Sequence, residues 1–321
     1  MRAGGSMTPG RYVWHNGQFV AWEDARVHVA AHALHYGSSV FEGIRAYDTP
    51  QGPAVLCLAA HVRRLFDSCR IFRMELPYSP QEVSEAILET VGRNEHRACY
   101  IRPLVYRGAG AFGLDPRKAP VEVAILTLEW GAYLGPEALE QGVDVVVSTW
   151  RRMAPSTHPA MAKIAGNYVN SQLMTMEARD AGFAEAIALD VEGYVSEGSG
   201  ENVFVVRDGV VYTPSLAHSI LPGVTRQVAI TLLRELGYEV QEVSLPREML
   251  YLADEIFLTG TAAEITPVRS VDRVPVGPGR RGPVTERVQK AFFDVVSGRA
   301  QDRHGWLTPV RVRSEPTPSG E

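Results

Sequence analysis

The chain has 321 residues, of which 45% are hydrophobic and 21% are charged, and its formal net charge is -5 at neutral pH. Because single hydrophobic cores usually stop growing at roughly 250 to 300 residues, this length favours two domains. The charge balance argues against nucleic acid as a partner, and no apolar run approaches the ~20 residues of a membrane helix. Three cysteines without CxxC spacing, and a start without the apolar core of a signal peptide, indicate a cytoplasmic protein.

Residues 1–129 are predicted to form a small N-terminal α/β domain. An Asn-Gly pair at 16–17 predicts a hairpin across residues 12–22, and Pro-Gln-Gly at 50–52 predicts a second one across residues 43–58. Apolar spacing predicts helices over 59–72 and 80–92; Ser79, Pro80 and Glu82 give the second helix a capping-box start. Strands over 99–106 and 121–128 would complete the domain.

Residues 130–139 are rich in Gly, Pro and aromatic side chains and are predicted to link this domain to a larger one over 140–313. Residues 314–321 have the composition of a disordered tail. The predicted elements of the larger domain are strands at 143–147 and 184–190, helices at 168–181 and 224–236, and a hairpin over 203–212 turning at Asp208-Gly209. Strands and helices alternate, so the fold class is α+β, or mixed α/β, in two lobes.

Three other patterns suggest functions that their context does not support. Residues 108–113 read GAGAFG, but a dinucleotide site needs a helix there, and Leu-Asp-Pro at 114–116 would end it at once. His28, His32 and His35 lack an HExxH pattern, so hydrogen-bonded or surface histidines are favoured over metal ligands, and no metal is expected. Ser156 and Ser199 lack a GxSxG elbow, which argues against a serine hydrolase.

Lys163 stands in MAKIAGNY among small and apolar neighbours. A lysine withdrawn from water has a lowered pKa and becomes an amine nucleophile. The alternative from this segment alone is a lysine whose ammonium reaches solvent past an apolar wall.

Two carboxylates, Glu197 and Glu201, stand among glycines in YVSEGSGEN, where a flat ligand could approach the backbone. A carboxylate beside a pyridine nitrogen keeps that nitrogen protonated and makes the ring an electron sink. A solvated turn is the other interpretation of such a stretch.

Two segments are candidate phosphate sites. LPGVTR at 221–226 precedes a helix, so the amides of Val224 and Thr225 would point out of its N-terminus. Gly260-Thr261-Ala262 follows a strand and offers a hydroxyl with exposed amides. Arg64, in HVRRL, could add a guanidinium fork. Taken singly, these features also describe an ordinary helix start, a strand-end turn and a surface arginine.

Together, HYGSSVFEGIRAY, HVRRL, YIRPL, WGAYLG, MAKIAGNY, SEGSGEN, LPGVTR and GTAAEITPVRSVD occur in one order from about residue 12 to 298. In this order and spacing the chain resembles the fold-type IV pyridoxal 5′-phosphate (PLP) enzymes, specifically the bacterial branched-chain amino acid aminotransferases. The resemblance implies a two-lobed fold whose larger C-terminal domain is a pseudo-barrel. It also implies reversible ping-pong transfer of an amino group between leucine, isoleucine or valine and 2-oxoglutarate.

The resemblance also implies roles for individual residues. Lys163 would link covalently to PLP and act as the base, Glu197 would pair with the pyridine nitrogen, and Tyr168 would bond the phenolic oxygen. The remaining cofactor contacts would come from Arg64, Leu221, Val224, Thr225 and Thr261. The implied substrate site comprises Tyr36, Phe41, Gly43, Tyr100, Arg102, Trp130, Tyr133, Thr261 and Ala262, with Arg102 receiving the glutamate side-chain carboxylate and Tyr100 the α-carboxylate.

In the family that the chain resembles, the GAGAFG loop of one subunit can reach the site of its neighbour. This implies a homo-oligomer, at least a dimer and possibly, as in bacterial members, a hexamer. A D-amino acid aminotransferase or aminodeoxychorismate lyase on the same fold is the nearest alternative function. A binding protein that keeps the fold without turnover is the alternative from another class. Intact Lys163, Glu197 and Tyr168 count against that last interpretation.

Overall fold

The structure, a computed structural model, describes residues 8–129 and 137–311. Strands are numbered along the chain: β1 Thr8–Pro9, β2 Tyr12–His15, β3 Gln18–Ala21, β4 Ser39–Phe41, β5 Ile44–Thr49, β6 Gly52–Leu56, β7 Cys99–Arg107, β8 Val121–Glu129, β9 Val143–Val147, β10 Glu185–Leu189, β11 Val195–Gly198, β12 Asn202–Arg207, β13 Val210–Pro214, β14 Val240–Val243, β15 Glu255–Gly260, β16 Glu264–Val271, β17 Val274–Pro275 and β18 Leu307–Pro309. The α-helices are α1 His32–Tyr36, α2 Leu58–Ile71, α3 Pro80–Arg93, α4 Ala138–Gln141, α5 Tyr168–Asp180, α6 Val224–Glu235, α7 Met249–Leu252 and α8 Pro283–Val296.

Local chemistry accounts for the elements that the sequence predicts. Asn16 and Gly17 both adopt positive φ, at 50° and 87°, which is the backbone of a primed turn, and β2 pairs with β3 across it. Helix α3 begins with the predicted capping box, in which Ser79 and Glu82 exchange side-chain and backbone hydrogen bonds. The predicted hairpins are confirmed, and the predicted helices are found to within a residue or two.

The first sheet is antiparallel throughout, in the order β18-β6-β5-β7-β8-β2-β3, with β1 beside β8 and β4 beside β7. Helices α2 and α3 cover one face, where Leu65, Ile87, Ile101 and Ile125 are fully buried. Strand β18, which the sequence did not predict, pairs with β6 and brings residues 307–309 back to this sheet. The domain boundaries at residues 129, 139 and 313 stay a prediction.

The second sheet runs β11-β10-β9-β16-β15-β12-β13-β14, with parallel pairs on both sides of β9 and between β13 and β14. A further pairing of Glu197 in β11 with Asn202 in β12 joins the ends of a six-strand circuit. The sheet is therefore barrel-like, and the expected α+β fold is confirmed. Phe204 and Phe257 stack with ring centroids 4.8 Å apart beneath α6 and α8.

The segments that the sequence analysis set aside have structural explanations. Residues 108–113 form a loop without a helix, as predicted. His32 is buried between Ser38 Oγ, at 2.6 Å, and the carbonyl of Gly113, at 2.8 Å. His35 contacts the carbonyl of Val29 through Nε2. Within residues 8–129 and 137–311, every helix is too short or too polar to cross a membrane.

Candidate active site

A cavity of about 480 Å³ lies where the first sheet meets the barrel-like sheet, and its size is ordinary for a small-molecule site. Residues of both sheets line it: Phe41, Gly43, Arg64, Tyr100, Arg102, Leu104, Lys163, Ala165, Tyr168, Gln172, Gly200, Glu201, Asn202, Leu221, Gly223, Val224, Thr225, Thr259, Gly260, Thr261 and Ala262. A much smaller space adjoins it and shares five of these residues. Glu197 lines that smaller space.

Lys163 is fixed by its backbone between α2 and β4. Its amide donates to Ser68 Oγ at 2.9 Å, and its carbonyl accepts from the amide of Phe41 at 3.1 Å. The ammonium Nζ then reaches the cavity, 2.5 Å from Tyr168 Oη and 4.8 Å from the centroid of the Phe41 ring. Burial, and after it the nearby Arg64, lowers the pKa of Lys163 to about 8. The amine is thus far easier to deprotonate than an exposed lysine.

Tyr168 is the first residue of α5, so its side chain points away from the helix body into the cavity. Its ring packs edge-on against Phe41 with centroids 4.8 Å apart. Burial, and the negative charge of Glu197, raise the pKa of the Tyr168 hydroxyl above its usual range. The hydroxyl therefore stays protonated beside Lys163.

Glu197 is buried at the end of β11 and has partners on both oxygens. Oε1 lies 2.7 Å from Arg152 Nη2, while Oε2 accepts from the amide of Leu221 at 2.9 Å and from Asn202 Nδ2 at 3.1 Å. Burial raises the pKa of Glu197, and the Arg152 charge opposes that rise. The carboxyl is therefore oriented by three donors at the edge of the cavity.

The N-terminus of α6 opens on the cavity at Val224 and Thr225. Its N-cap is Gly223, which supplies no side-chain hydrogen bond, and a Cβ there would lie 2.0 Å from Asn202 Oδ1. The first amides of this twelve-residue helix are therefore left for an anion. Thr259 Oγ1, which also lines the cavity, is buried and has no hydrogen-bond partner among the residues that the structure describes. This donor set suits a phosphate group.

Arg64 lines the cavity, but its guanidinium is already hydrogen-bonded to other residues of the protein. Nε and Nη2 donate to the two oxygens of Glu42 at 2.7 and 2.8 Å, and Nη1 donates to the carbonyl of Pro222 at 3.0 Å. Glu42 is fully buried and also contacts His61 Nδ1 at 2.8 Å. The guanidinium is thus held rigidly at the cavity wall by a buried carboxylate.

Arg102 and Tyr100 form a polar part of the cavity wall. Arg102 Nη2 donates to Tyr100 Oη at 2.9 Å, and the guanidinium carbon lies 4.6 Å from the centroid of the Phe41 ring. A Cβ on Gly43 would lie 2.2 Å from Tyr100 Oη, so only glycine leaves room for this hydroxyl. Thr261 Oγ1 in turn donates to the carbonyl of Gly43 at 2.9 Å. The β15–β16 turn with Thr261 and Ala262 is thereby tied to the first sheet.

Of the predicted site residues that the structure describes, Tyr36 is not brought to this cavity. Tyr36 is 45% exposed on α1, where its ring contacts His32, and it is not among the cavity-lining residues. Trp130 and Tyr133 lie outside the described residues. The roles of these three aromatic residues stay predictions.

Four residues of the site were not predicted from the sequence: Glu42, Arg152, Asn202 and Thr259. Glu42 and Asn202 stand inside quoted motifs, beside Gly43 and Glu201, so their charge or amide in a glycine-containing segment was an available signal. Arg152 stands outside every motif, and only the fold brings it to Glu197. Glu201 is also buried on the cavity wall, and burial together with the charge of neighbouring Glu185 raises the pKa of its carboxyl well above the ordinary value.

Comparison with known proteins gives the family. Residues 39–271 match the model of amino-transferase class IV. The branched-chain-amino-acid aminotransferase of Escherichia coli K12 is 54% identical over 300 residues, which cover 93% of this chain and 97% of that protein.

Solved structures agree with this. The crystal structure of the Escherichia coli branched-chain amino acid aminotransferase superposes with a TM-score of 0.92 at 53% identity and covers 94% of this chain and 100% of its own. A T.th. branched-chain amino acid aminotransferase with pyridoxamine 5′-phosphate gives 0.92 at 50% identity, covering 95% and 100%. The chain therefore belongs to the amino-transferase class IV family.

Proposed function

We propose that the cavity around Lys163 carries out the reaction of a branched-chain amino acid aminotransferase with PLP. The amino group passes between leucine, isoleucine or valine and 2-oxoglutarate, giving branched-chain 2-oxo acids and glutamate. The observation that carries the proposal is the buried Lys163 amine, 2.5 Å from Tyr168 Oη in a cavity with an open helix N-terminus. PLP, when bound, supplies an aldehyde for the amine and a ring that accepts electrons.

The donor set of the cavity supports the fit of PLP. The open amides of α6, at Val224 and Thr225, together with Thr261 and the unpartnered Thr259 hydroxyl, would hold its phosphate. Arg64 would add positive charge from the position that Glu42 fixes. Leu221 lines the wall between the two spaces, and its amide orients Glu197 for the ring nitrogen.

Lys163 and Tyr168 would manage the protons. With a pKa of about 8, the Lys163 amine can be freed of its proton at neutral pH and can accept the proton from the substrate Cα. Tyr168, which keeps its own proton, would bond the phenolic oxygen of the cofactor and the lysine in turn. Glu197 would keep the ring nitrogen protonated, which strengthens the ring as an electron sink.

One pocket has to accept an aliphatic side chain and a carboxylate. Phe41 offers an apolar face, and Arg102 lies across it with a hydrogen bond to Tyr100 Oη. Arg102 therefore keeps a partner when leucine is bound, and it can turn to the side-chain carboxylate of glutamate. Tyr100 and the amides of Thr261 and Ala262 would receive the α-carboxylate.

The decisive experiment uses the small number of lysines. The chain contains three, Lys118, Lys163 and Lys290. Borohydride reduction of the yellow holoenzyme, followed by digestion and mass spectrometry, is expected to place the cofactor on Lys163. Lys163→Ala should abolish transamination and the attachment, while the surface control Lys290→Ala should keep both. Attachment at Lys118 or Lys290 would refute the proposal.

Substrate assays address the related functions on this fold. Steady-state kinetics should show turnover of leucine, isoleucine and valine with 2-oxoglutarate. A preference for D-alanine, or lyase activity on aminodeoxychorismate, would overturn the assignment.

We further propose that a second copy of the chain covers an exposed apolar patch, making at least a homodimer. The patch consists of Val29, Leu34, Phe112 and Leu114, which are 65–87% exposed. His35 holds it together, with its ring 5.5 Å from Phe112 and its Nε2 on the carbonyl of Val29. Contiguous exposed apolar side chains of this kind mark an interface. Sedimentation analysis of Phe112→Ser/Leu114→Ser should show a smaller assembly than wild type, and an unchanged mass would refute this contact.

A cytoplasmic location is part of the same proposal. Cys57, Cys69 and Cys99 are all free thiols, and each is buried. Thiols kept reduced are typical of the cytosol. Fractionation of cells that produce the protein should recover the activity with cytosolic markers.

A further inference from the structure

Arg152 is a buried cation that the proposed chemistry does not use directly. It is anchored at three points: its amide donates to the carbonyl of Leu189 at 2.9 Å, Nη1 donates to Asn170 Oδ1 at 2.9 Å, and Nη2 lies 2.7 Å from Glu197 Oε1. It is 6% exposed and is not among the residues that line the larger cavity. Burying a charge this deeply costs free energy unless an oppositely charged partner compensates it.

Glu197 is that partner, and its own burial makes it depend on the cation. Glu197 is itself buried, and burial raises the pKa of its carboxyl. Its remaining donors, the amide of Leu221 and Asn202 Nδ2, are uncharged and both bind Oε2. Arg152 is therefore the charged donor on Oε1, and its charge is the largest influence that lowers the pKa of Glu197.

We propose that Arg152 is a positioning residue that keeps Glu197 ionised and turned toward the ring nitrogen of the cofactor. The inference rests on the proposed role of Glu197. Arg152 acts through that carboxylate, because it lines only the smaller space that Glu197 borders. Without the cation, a buried Glu197 would take up a proton and lose its preference for a protonated ring nitrogen.

The test measures binding without catalysis and without the covalent link. Pyridoxamine 5′-phosphate and its analogue with a CH group in place of the ring nitrogen are titrated into cofactor-free enzyme. Wild type should bind the first roughly ten- to hundredfold more tightly, as expected for one charge-assisted contact. Arg152→Met should lose most of that ratio by weakening pyridoxamine 5′-phosphate alone, and Arg152→Lys should restore a large part of it.

A matched control separates this effect from general loss of a buried arginine. Arg107, at the end of β7 in the first sheet, is equally buried, and its guanidinium donates to the carbonyls of Ala119 and Arg73. Arg107→Met should lower stability and leave the binding ratio unchanged. If Arg152→Met does not fold, Asn170→Ala takes its place, since it removes the anchor of Nη1, and the ratio should fall at least twofold.

The outcomes are distinguishable. If Arg152→Met and Asn170→Ala keep the wild-type ratio, or weaken both ligands equally, Arg152 is a structural residue and the inference is wrong. If wild type itself does not distinguish the two ligands, the proposed contact of Glu197 with the ring nitrogen fails first. The borohydride result for Lys163 is independent of either outcome.

Discussion

Replacement of Glu42 by glutamine should reveal how much the cavity wall depends on one buried carboxylate. Glu42 is 0% exposed, and its oxygens receive Arg64 at 2.7 and 2.8 Å and His61 at 2.8 Å. Glutamine keeps the volume but leaves the Arg64 cation without a counter-charge. Removing one partner of a buried ion pair costs about 3–5 kcal/mol. We therefore expect Glu42→Gln to lower the free energy of unfolding by about that amount and to weaken PLP binding at the Arg64 wall.

The control is an exposed ion pair of the same type. Asp48 and Arg97 are 48% and 67% exposed and lie 2.6 Å apart, so water screens their attraction and Asp48→Asn should change the free energy of unfolding far less. Equilibrium urea unfolding of the cofactor-free variants measures both values. If Glu42→Gln and Asp48→Asn lowered the free energy of unfolding equally, the special role of the buried Glu42 carboxylate would be refuted.

The difference in free energy of unfolding between wild type and Glu42→Gln should also depend on pH, and the sign of this dependence follows from the pKa of Glu42. Arg64 and His61 hold the pKa of Glu42 far below its ordinary value of 4.5, although burial alone would raise it. A carboxylate with a lowered folded-state pKa contributes stability above its unfolded pKa and loses it as pH falls toward the folded value. The difference between wild type and Glu42→Gln should therefore be constant from about pH 8 to 6 and shrink below about pH 4.5.

Three further predictions concern the substrate site and the cofactor lysine. Arg102→Ala should reduce kcat/KM for glutamate roughly tenfold more than for leucine, because only glutamate brings a second carboxylate; equal losses would place Arg102 outside the side-chain pocket. Gly43→Ala should raise KM for both amino acids, since a Cβ 2.2 Å from Tyr100 Oη displaces that hydroxyl, and unchanged KM values would contradict this. The rate at which PLP joins Lys163 should rise with pH with a midpoint near 8, measured by stopped-flow absorbance, and a midpoint near 10 would show an ordinary lysine.

The elements that the sequence predicts well are those fixed by local chemistry. The Asn16-Gly17 turn and the Ser79 cap need only neighbouring residues, and both appear where expected. Strand β18 and the ring-closing pair of β11 with β12 depend instead on distant partners. Their sequences carry no sign of which strand they will meet, so composition and periodicity could not supply them.

In the candidate site, too, some features could be predicted from the sequence and others could not. Lys163, Tyr168 and Arg102 meet in one cavity with the helix N-terminus at Val224, as the motifs led us to expect. What the motifs did not indicate is how those groups are held. Arg64 was expected to offer a free fork, but its fork is occupied by Glu42, whose burial is a property of the folded core.

The pair of Glu197 with Asn202 closes the strand circuit and also places a side-chain hydrogen bond between these two residues at the edge of the site. Occupancy by cofactor and integrity of this joint are therefore linked equilibria, because a ligand stabilises the state that binds it. Hydrogen exchange should slow on cofactor binding most strongly at the amides around this joint. Without PLP, the enzyme would then open locally first where β11 pairs with β12, while the rest of the barrel-like sheet stays folded.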